Sequence, residues 1–202
     1  MRAPLHIKHF TSCNEGIKLK HKYMLWKNMI ISLWRMGKLG NRSFKGHLTR
    51  NYAVGLLKTD TYEKYFYSTC QIKKKNAYLN FKSVVNPIRN KTWDDMVNDL
   101  YFENPKFYNY IKVDRSRGIR TKSATCRYHD SESVILENIS QHMFKNKLYN
   151  CQIYIYSQKE PCLNCETIFH QFIERHSLSE LTILYHQTNY EQLPSKYNWR
   201  YK

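Results

Sequence analysis

Cys162 and Cys165, with two residues between them, come straight after Pro161 as Cys-Leu-Asn-Cys and open a stretch of helical periodicity. Thiols at a helix N-terminus suit a borderline-soft divalent cation, and the positive end of the helix dipole favours their ionised form. Upstream lies His129-Asp130-Ser131-Glu132, where a carboxylate heads a second helical stretch. A Glu in that place commonly does no more than compensate the dipole of its own helix. Beside a metal ion it can carry protons. The Cys-x-x-Cys pair alone admits three chemistries: half of a structural zinc site, a thiol–disulfide redox pair, or part of a catalytic zinc site. A closed structural site needs two further soft ligands at similar spacing, and the chain has no second Cys-x-x-Cys. Redox chemistry would leave Glu132 without a task.

These groups act together only if the elements beneath them converge. Val134, Ile135, Leu136, Ile139 and Met143 predict a helix over 131–143. Ile153 and Ile155 alternate with tyrosines, which predicts a strand over 151–156. Ile168, Phe169, Phe172 and Ile173 predict a helix over 163–176, followed by a short strand over 181–185. Strand, helix and returning strand make a right-handed βαβ unit. Two strands over 52–57 and 64–69 predict a hairpin, and Thr92 is the expected N-cap of a helix reaching Phe102. The sum is an α/β three-layer fold with a mixed sheet of four to five strands and two helix N-termini at one sheet edge. The optional fifth strand is an antiparallel one near 196–200.

Residues 1–20 show no period and are expected to be irregular. Tyr23, Trp26, Ile30, Leu33 and Trp34 predict an amphipathic helix, broken at Gly37-Lys38-Leu39-Gly40. This apolar stretch is shorter than the roughly 20 residues that span a bilayer. It is expected to pack on the domain, with an interfacial membrane helix as the alternative. No apolar signal core stands in residues 1–13. The chain therefore divides into a basic helical extension, 1–48, and a domain over 49–202.

Charge speaks to partners. The 202 residues carry 33 Lys+Arg against 16 Asp+Glu, a formal +17, and the first fifty hold eleven basic residues against the single acid Glu15. Further basic clusters are Lys73–Lys75 and Arg115, Arg117, Arg120 and Lys122. Such an excess favours a polyanion, nucleic acid or an anionic membrane surface. Interleaved Tyr65, Tyr67, Tyr78, Tyr108 and Tyr110 suit stacking on unpaired bases, although most are expected in the core. Mean hydropathy is −0.71, polar for a chain with 42% hydrophobic residues, and 17 tyrosines explain part of the contrast. The six cysteines are expected to be reduced, since a chain this rich in core formers needs no disulfide staples. His142, His170, His176 and His186 lack ligand spacing.

Asp130-Ser131-Glu132 with its apolar helix, the strand over 153–157, Glu160-Pro161-Cys162-Leu163-Asn164-Cys165 and Gln171-Phe172 together resemble the cytidine-deaminase-like superfamily. The similarity is closest to the bacterial polymorphic-toxin nucleic acid deaminases. It covers residues 127–186 and, loosely, the hairpin at 52–69. The resemblance implies a Zn2+ cofactor on Cys162, Cys165 and a third ligand two residues before the Glu, with Glu132 as the proton shuttle. That third position holds Asp130 where the superfamily pattern has His, and His129 competes with it. The implied reaction is hydrolytic deamination of a nucleobase, cytosine to uracil in DNA before RNA or adenine. Asn51, Tyr52, Tyr156 and Ser157 are the substrate-binding candidates by position on their strands. The resemblance also implies the effector portion of a delivered toxin, acting in a reducing target-cell cytoplasm with an immunity protein as partner; the chain itself is expected to be a monomer. The alternative function is a non-catalytic, zinc-stabilised nucleic-acid-binding module.

Overall fold

The computed structural model describes residues 4–9, 13–98, 100, 107–113, 125–126 and 130–187. In chain order the elements are β1 (Leu5–His9), α1 (Asn14–Arg35), α2 (Asn41–Thr49), β2 (Tyr52–Lys58), β3 (Glu63–Thr69), α3 (Lys75–Val85), α4 (Lys91–Asn98), β4 (Lys112–Val113), β5 (Thr125–Cys126), α5 (Ser131–Asn146), β6 (Gln152–Lys159), α6 (Leu163–Arg175) and β7 (Glu180–Gln187). A 3-10 turn at 86–88 joins α3 to α4. Five strands form one mixed sheet in the order β1-β7-β6-β2-β3, and β4 and β5 pair separately. β2 runs antiparallel to β3 and β6, whereas β6, β7 and β1 are mutually parallel.

Strand alternation sorts the sheet into two apolar faces. On one, Tyr52, Val54, Leu56, Tyr67, Tyr156 and Leu184 meet Leu19, Trp26, Met29, Ile30 and Leu33 of α1, with Phe81 and Val85 of α3 and Met96 and Val97 of α4. On the other, Ala53, Leu57, Phe66, Ile153, Ile155 and Ile183 meet Ile135, Leu136 and Ile139 of α5 and Ile168, Phe169 and Phe172 of α6. The result is the expected α/β three-layer arrangement. Gly55 is bare backbone beneath α5: a Cβ there would stand 2.6 Å from Ile135 Cγ2. Its missing side chain sets how closely the first turns of α5 approach β2.

The N-terminal segment departs from expectation. Residues 5–9 are a strand, paired in parallel with β7 from Leu5↔Leu181 to His9↔Tyr185. A neighbour's open edge, which no local pattern reveals, makes that strand. α1 begins at Asn14, nine residues before the apolar period becomes visible, because Cys13 serves as its N-cap and accepts from Gly16 N–H at 3.4 Å. Residues 41–49, which follow the break at Gly37–Gly40, form α2. Only His47 of that helix is buried, so it carries little apolar period, and Trp34 stacks on Phe44 with ring centroids 4.6 Å apart. α3 went unforeseen as well, since its buried residues are Phe81 and Val85 alone. α4 starts ahead of Thr92, because Asn90 accepts from Trp93 N–H at 3.2 Å and does the capping. Among the described residues, β1 lies in the sheet and α1 in its core. The strand expected near 196–200 and the cluster at Arg115, Arg117, Arg120 and Lys122 lie outside the described residues. Among the described residues no helix is long and apolar enough to cross a membrane.

Candidate metal centre and active site

Asp130 and Cys162 occupy the same place on two different helices. Each is the N-cap, Asp130 of α5 and Cys162 of α6, with extended backbone at φ −66, ψ 142 and φ −80, ψ 165. Cys162 Sγ accepts from Cys165 N–H at 3.4 Å, as a capping side chain does. Asp130 makes no such cap; its Oδ2 stands 3.1 Å from Cys162 Sγ and 3.8 Å from Cys165 Sγ. The sulfurs are 3.3 Å apart, and the three ligand atoms all lie within 4.8 Å of one another.

Glu132 reaches this cluster from the first turn of α5. It is 2% exposed, with Oε2 3.8 Å from Cys165 Sγ. Ser157 Oγ donates to its Oε1 at 2.6 Å, Asn51 Nδ2 donates to the same oxygen at 2.9 Å, and Ser131 Oγ donates to Oε2 at 3.0 Å. Burial pushes the Glu132 carboxyl above the ordinary carboxylate range and the Asp130 charge adds to the rise, opposed by the Ser157 and Ser131 hydrogen bonds. The Cys165 thiol is pushed well up by its hydrogen bond with Cys162, then by burial and by the charges of Cys162, Glu132 and Asp130. Acids crowded in this way resist ionisation one by one. A dication at their centre reverses that, so two sulfurs and a carboxylate oxygen fit a tetrahedral zinc ion with one position open.

The structure thus brings together Asp130, Glu132, Cys162, Cys165, Asn51 and Ser157. His129 lies outside the described residues. Tyr52 and Tyr156 go elsewhere: side chains of successive strand residues point to opposite faces, and both rings are in the α1 core, 1% and 2% exposed. Tyr52 stacks on Trp26 with centroids 4.3 Å apart. Of the tyrosines considered for base stacking, Tyr67 and Tyr108 are buried, and Tyr110 donates to Glu137 Oε1 at 2.8 Å.

Two features escaped the sequence analysis. Ser131 and Ser133 sit fully buried on either side of Glu132, and Ser133 Oγ lies 3.7 Å from Cys165 Sγ. Hydroxyls alternating with an acid in the first turn of an apolar helix were the available signal. The second is a strap at 107–111 across α5 and α6. Glu137 Oε2 accepts from Phe107 N–H at 3.1 Å, and Gln171 bonds both Asn109 N–H and Asn109 C=O, at 2.7 and 2.8 Å. Asn164, between the two cysteines, accepts from Ile111 N–H at 3.0 Å. Backbone without a ladder partner is thereby satisfied by side chains. Gln171 and Asn164 hold the strap against the helix that bears the sulfurs.

A mixed five-stranded sheet that aims two helix N-termini at one Asp/Cys/Cys cluster, with a buried Glu beside it, is the architecture of a deaminase. Residues 39–187 match the model of a toxin-deaminase family, described as the BURPS668_1122 family of deaminases, and the chain belongs to that family. No curated protein and no solved structure matches the chain.

Proposed function

We propose that the protein is a zinc-dependent hydrolytic deaminase of nucleobases in nucleic acid, converting cytosine to uracil in DNA. The observation that carries this reading is the convergence of Asp130, Cys162 and Cys165 within 4.8 Å, with the Glu132 carboxylate 3.8 Å from Cys165 Sγ. Asp130, Cys162 and Cys165 would hold the ion. Zinc bound there supplies the Lewis acidity that makes water a nucleophile near neutral pH. Glu132 accepts a proton from the attacking water, returns it to the ring nitrogen, and passes a second to the leaving amine, so that ammonia departs. Ser133 holds the first turn of α5 against Cys165, and Ser131 ties the same turn to Asn51.

A polymeric substrate is supported by basic residues that flank Asn51 and the end of β3. Arg50 directly precedes Asn51, and Lys73, Lys74 and Lys75 follow β3 where Cys70 N–H bonds Asn51 C=O at 3.1 Å. All four basic side chains are exposed, and phosphates flanking a target base need such partners. Membership of a toxin-deaminase family adds the expectation of an immunity protein.

The test is incubation with single- and double-stranded DNA and RNA, read by sequencing for converted bases and by ammonia release. The parent protein converts cytosine in DNA; Glu132→Ala retains zinc and fold while conversion drops by about 100-fold or more. Equal conversion by parent and variant would rule out the role of Glu132.

A further inference from the structure

The two oxygens of Glu132 stand in different surroundings. Oε1 takes the Ser157 hydroxyl at 2.6 Å and an Asn51 N–H at 2.9 Å. Oε2 faces Ser131 Oγ at 3.0 Å and Cys165 Sγ at 3.8 Å. Asn51 is itself held so that it must present its amide nitrogen to Glu132. Its Oδ1 accepts the backbone N–H of Lys159 at 3.3 Å, which orients the amide oxygen towards β6 and the nitrogen towards α5. Its backbone carbonyl accepts Cys70 N–H at 3.1 Å and the Thr69 hydroxyl at 3.4 Å, tying the residue to the end of β3. The two hydrogens on Nδ2 face three oxygens at 2.9 Å, those of Ser131, Glu132 and Ser157. Little of this amide is left to read a base.

We propose that Asn51 and Ser157 are positioning residues, which pin Oε1 of Glu132 and leave Oε2, beside the Asp130–Cys162–Cys165 cluster, as the oxygen that carries the proton. The proposal rests on the deaminase reading above. In the reaction, the oxygen of water bonds to the amidine carbon as one of its protons goes to Oε2, and Oε2 returns that proton to the ring nitrogen. The remaining hydroxyl proton follows the same route to the amine, the C–N bond breaks and ammonia leaves, with no change of oxidation state. A carboxylate free to rotate would offer Oε2 in the productive direction only part of the time. On this proposal, rotation costs turnover and leaves substrate binding as it is.

The two roles separate in steady-state kinetics. Asn51→Ala, with folding checked by melting temperature and zinc by elemental analysis, is expected to lower kcat by about 10- to 100-fold, the usual effect of losing such a supporting partner. KM should stay within about twofold, as when ground-state binding is untouched. The isosteric Asn51→Asp sets a second carboxylate against Oε1 and is expected to lose more. Combined with Ser157→Ala, the two losses should fall short of multiplying, because both groups hold one oxygen. A raised KM with kcat intact would show that Asn51 binds substrate and overturn the proposal. If the parent protein converts no base at all, the deaminase reading has failed, and crystal structures of parent and Asn51→Ala decide this point alone. Turning of the Glu132 carboxylate in the variant upholds the positioning role; an unmoved carboxylate refutes it.

Discussion

At the scale of single residues, the cluster at the two helix N-termini is held in place by what surrounds it. A buried carboxylate beside two thiols is costly to ionise, and the hydroxyls and amide around Glu132 offset only part of that. On the proposed reading the remainder falls to a cation, and metal removal then has a defined signature. Chelation should lower the melting temperature of the parent protein, whereas Cys165→Ala, lacking one of the sulfurs, should purify with little zinc and melt almost independently of chelator. Full zinc stoichiometry in that variant would exclude Cys165 as a ligand. Acid sensitivity has other sources, buried His47 and half-buried His176 among them. His47 is 4% exposed, its ring centroid 4.7 Å from that of Phe81 and 5.8 Å from that of Trp26, and its Nδ1 finds no partner among the described residues. Burial lowers its pKa to about 4. The folded state therefore binds fewer protons than the unfolded chain between that value and the ordinary 6.5. The stability that follows is present in full above the unfolded value and is lost as pH falls towards the folded one. The loss is about 3 kcal/mol at most by linkage. His47→Phe keeps a ring in that place and removes the proton, so the difference in melting temperature between variant and parent should widen in the variant's favour from pH 7 to pH 4.5.

At the scale of elements, precision comes from how closely α5 lies on β2, and Gly55 controls that distance. Gly55→Ala would set a methyl 2.6 Å from Ile135 Cγ2, one helical turn below Glu132. Overpacking of this kind costs about 1–3 kcal/mol, and lifting α5 also draws the carboxylate away from the sulfurs. Denaturant unfolding should therefore show the destabilisation, kcat should fall with it, and Ile135→Ala in the same chain should restore part of both. The elements around the site were legible because each announces itself over short range: a 3.6-residue period after Asp130 and after Pro161, and strict alternation in β6. The same alternation contained a distinction that the sequence reading did not use. Neighbours on a strand face opposite ways, so Asn51 with Tyr52, and Tyr156 with Ser157, could each supply only one residue to the site. The residues whose flanking apolar positions, Ala53 and Ile155, face α5 and α6 are Asn51 and Ser157. β1, α2 and α3 were not legible. Their burial is slight or one-sided, and long-range neighbours decide their conformation.

At the scale of the whole molecule, a basic exterior and a shared core pull the N-terminal segment in two directions. Its charge marks it as an extension. Its apolar face, with Leu19, Trp26, Met29, Ile30 and Leu33 at 0–1% exposure, shares one side of the core with α3 and α4. The family match begins at residue 39, beyond α1, yet the sheet face formed by Val54, Leu56, Tyr156 and Leu184 has α1 as its cover. A fragment starting at residue 39 would expose that face and the free edge of β7, an invitation to aggregate. It should be insoluble or molten by near-ultraviolet circular dichroism, and a peptide of residues 1–38 supplied in trans should restore both solubility and native ellipticity. A soluble, cooperatively folding fragment would instead make the N-terminal segment an accessory. On the proposed reading, charge then serves a nucleic-acid substrate. Nucleic-acid affinity of the intact chain should fall linearly with the logarithm of salt concentration, by about 0.7 for each phosphate neutralised on a single strand. Replacing Lys73, Lys74 and Lys75 by Gln should flatten that slope without changing the melting temperature, because all three are exposed. An unchanged slope would move the phosphate contacts to another part of the surface while leaving the chemistry at Glu132 as described.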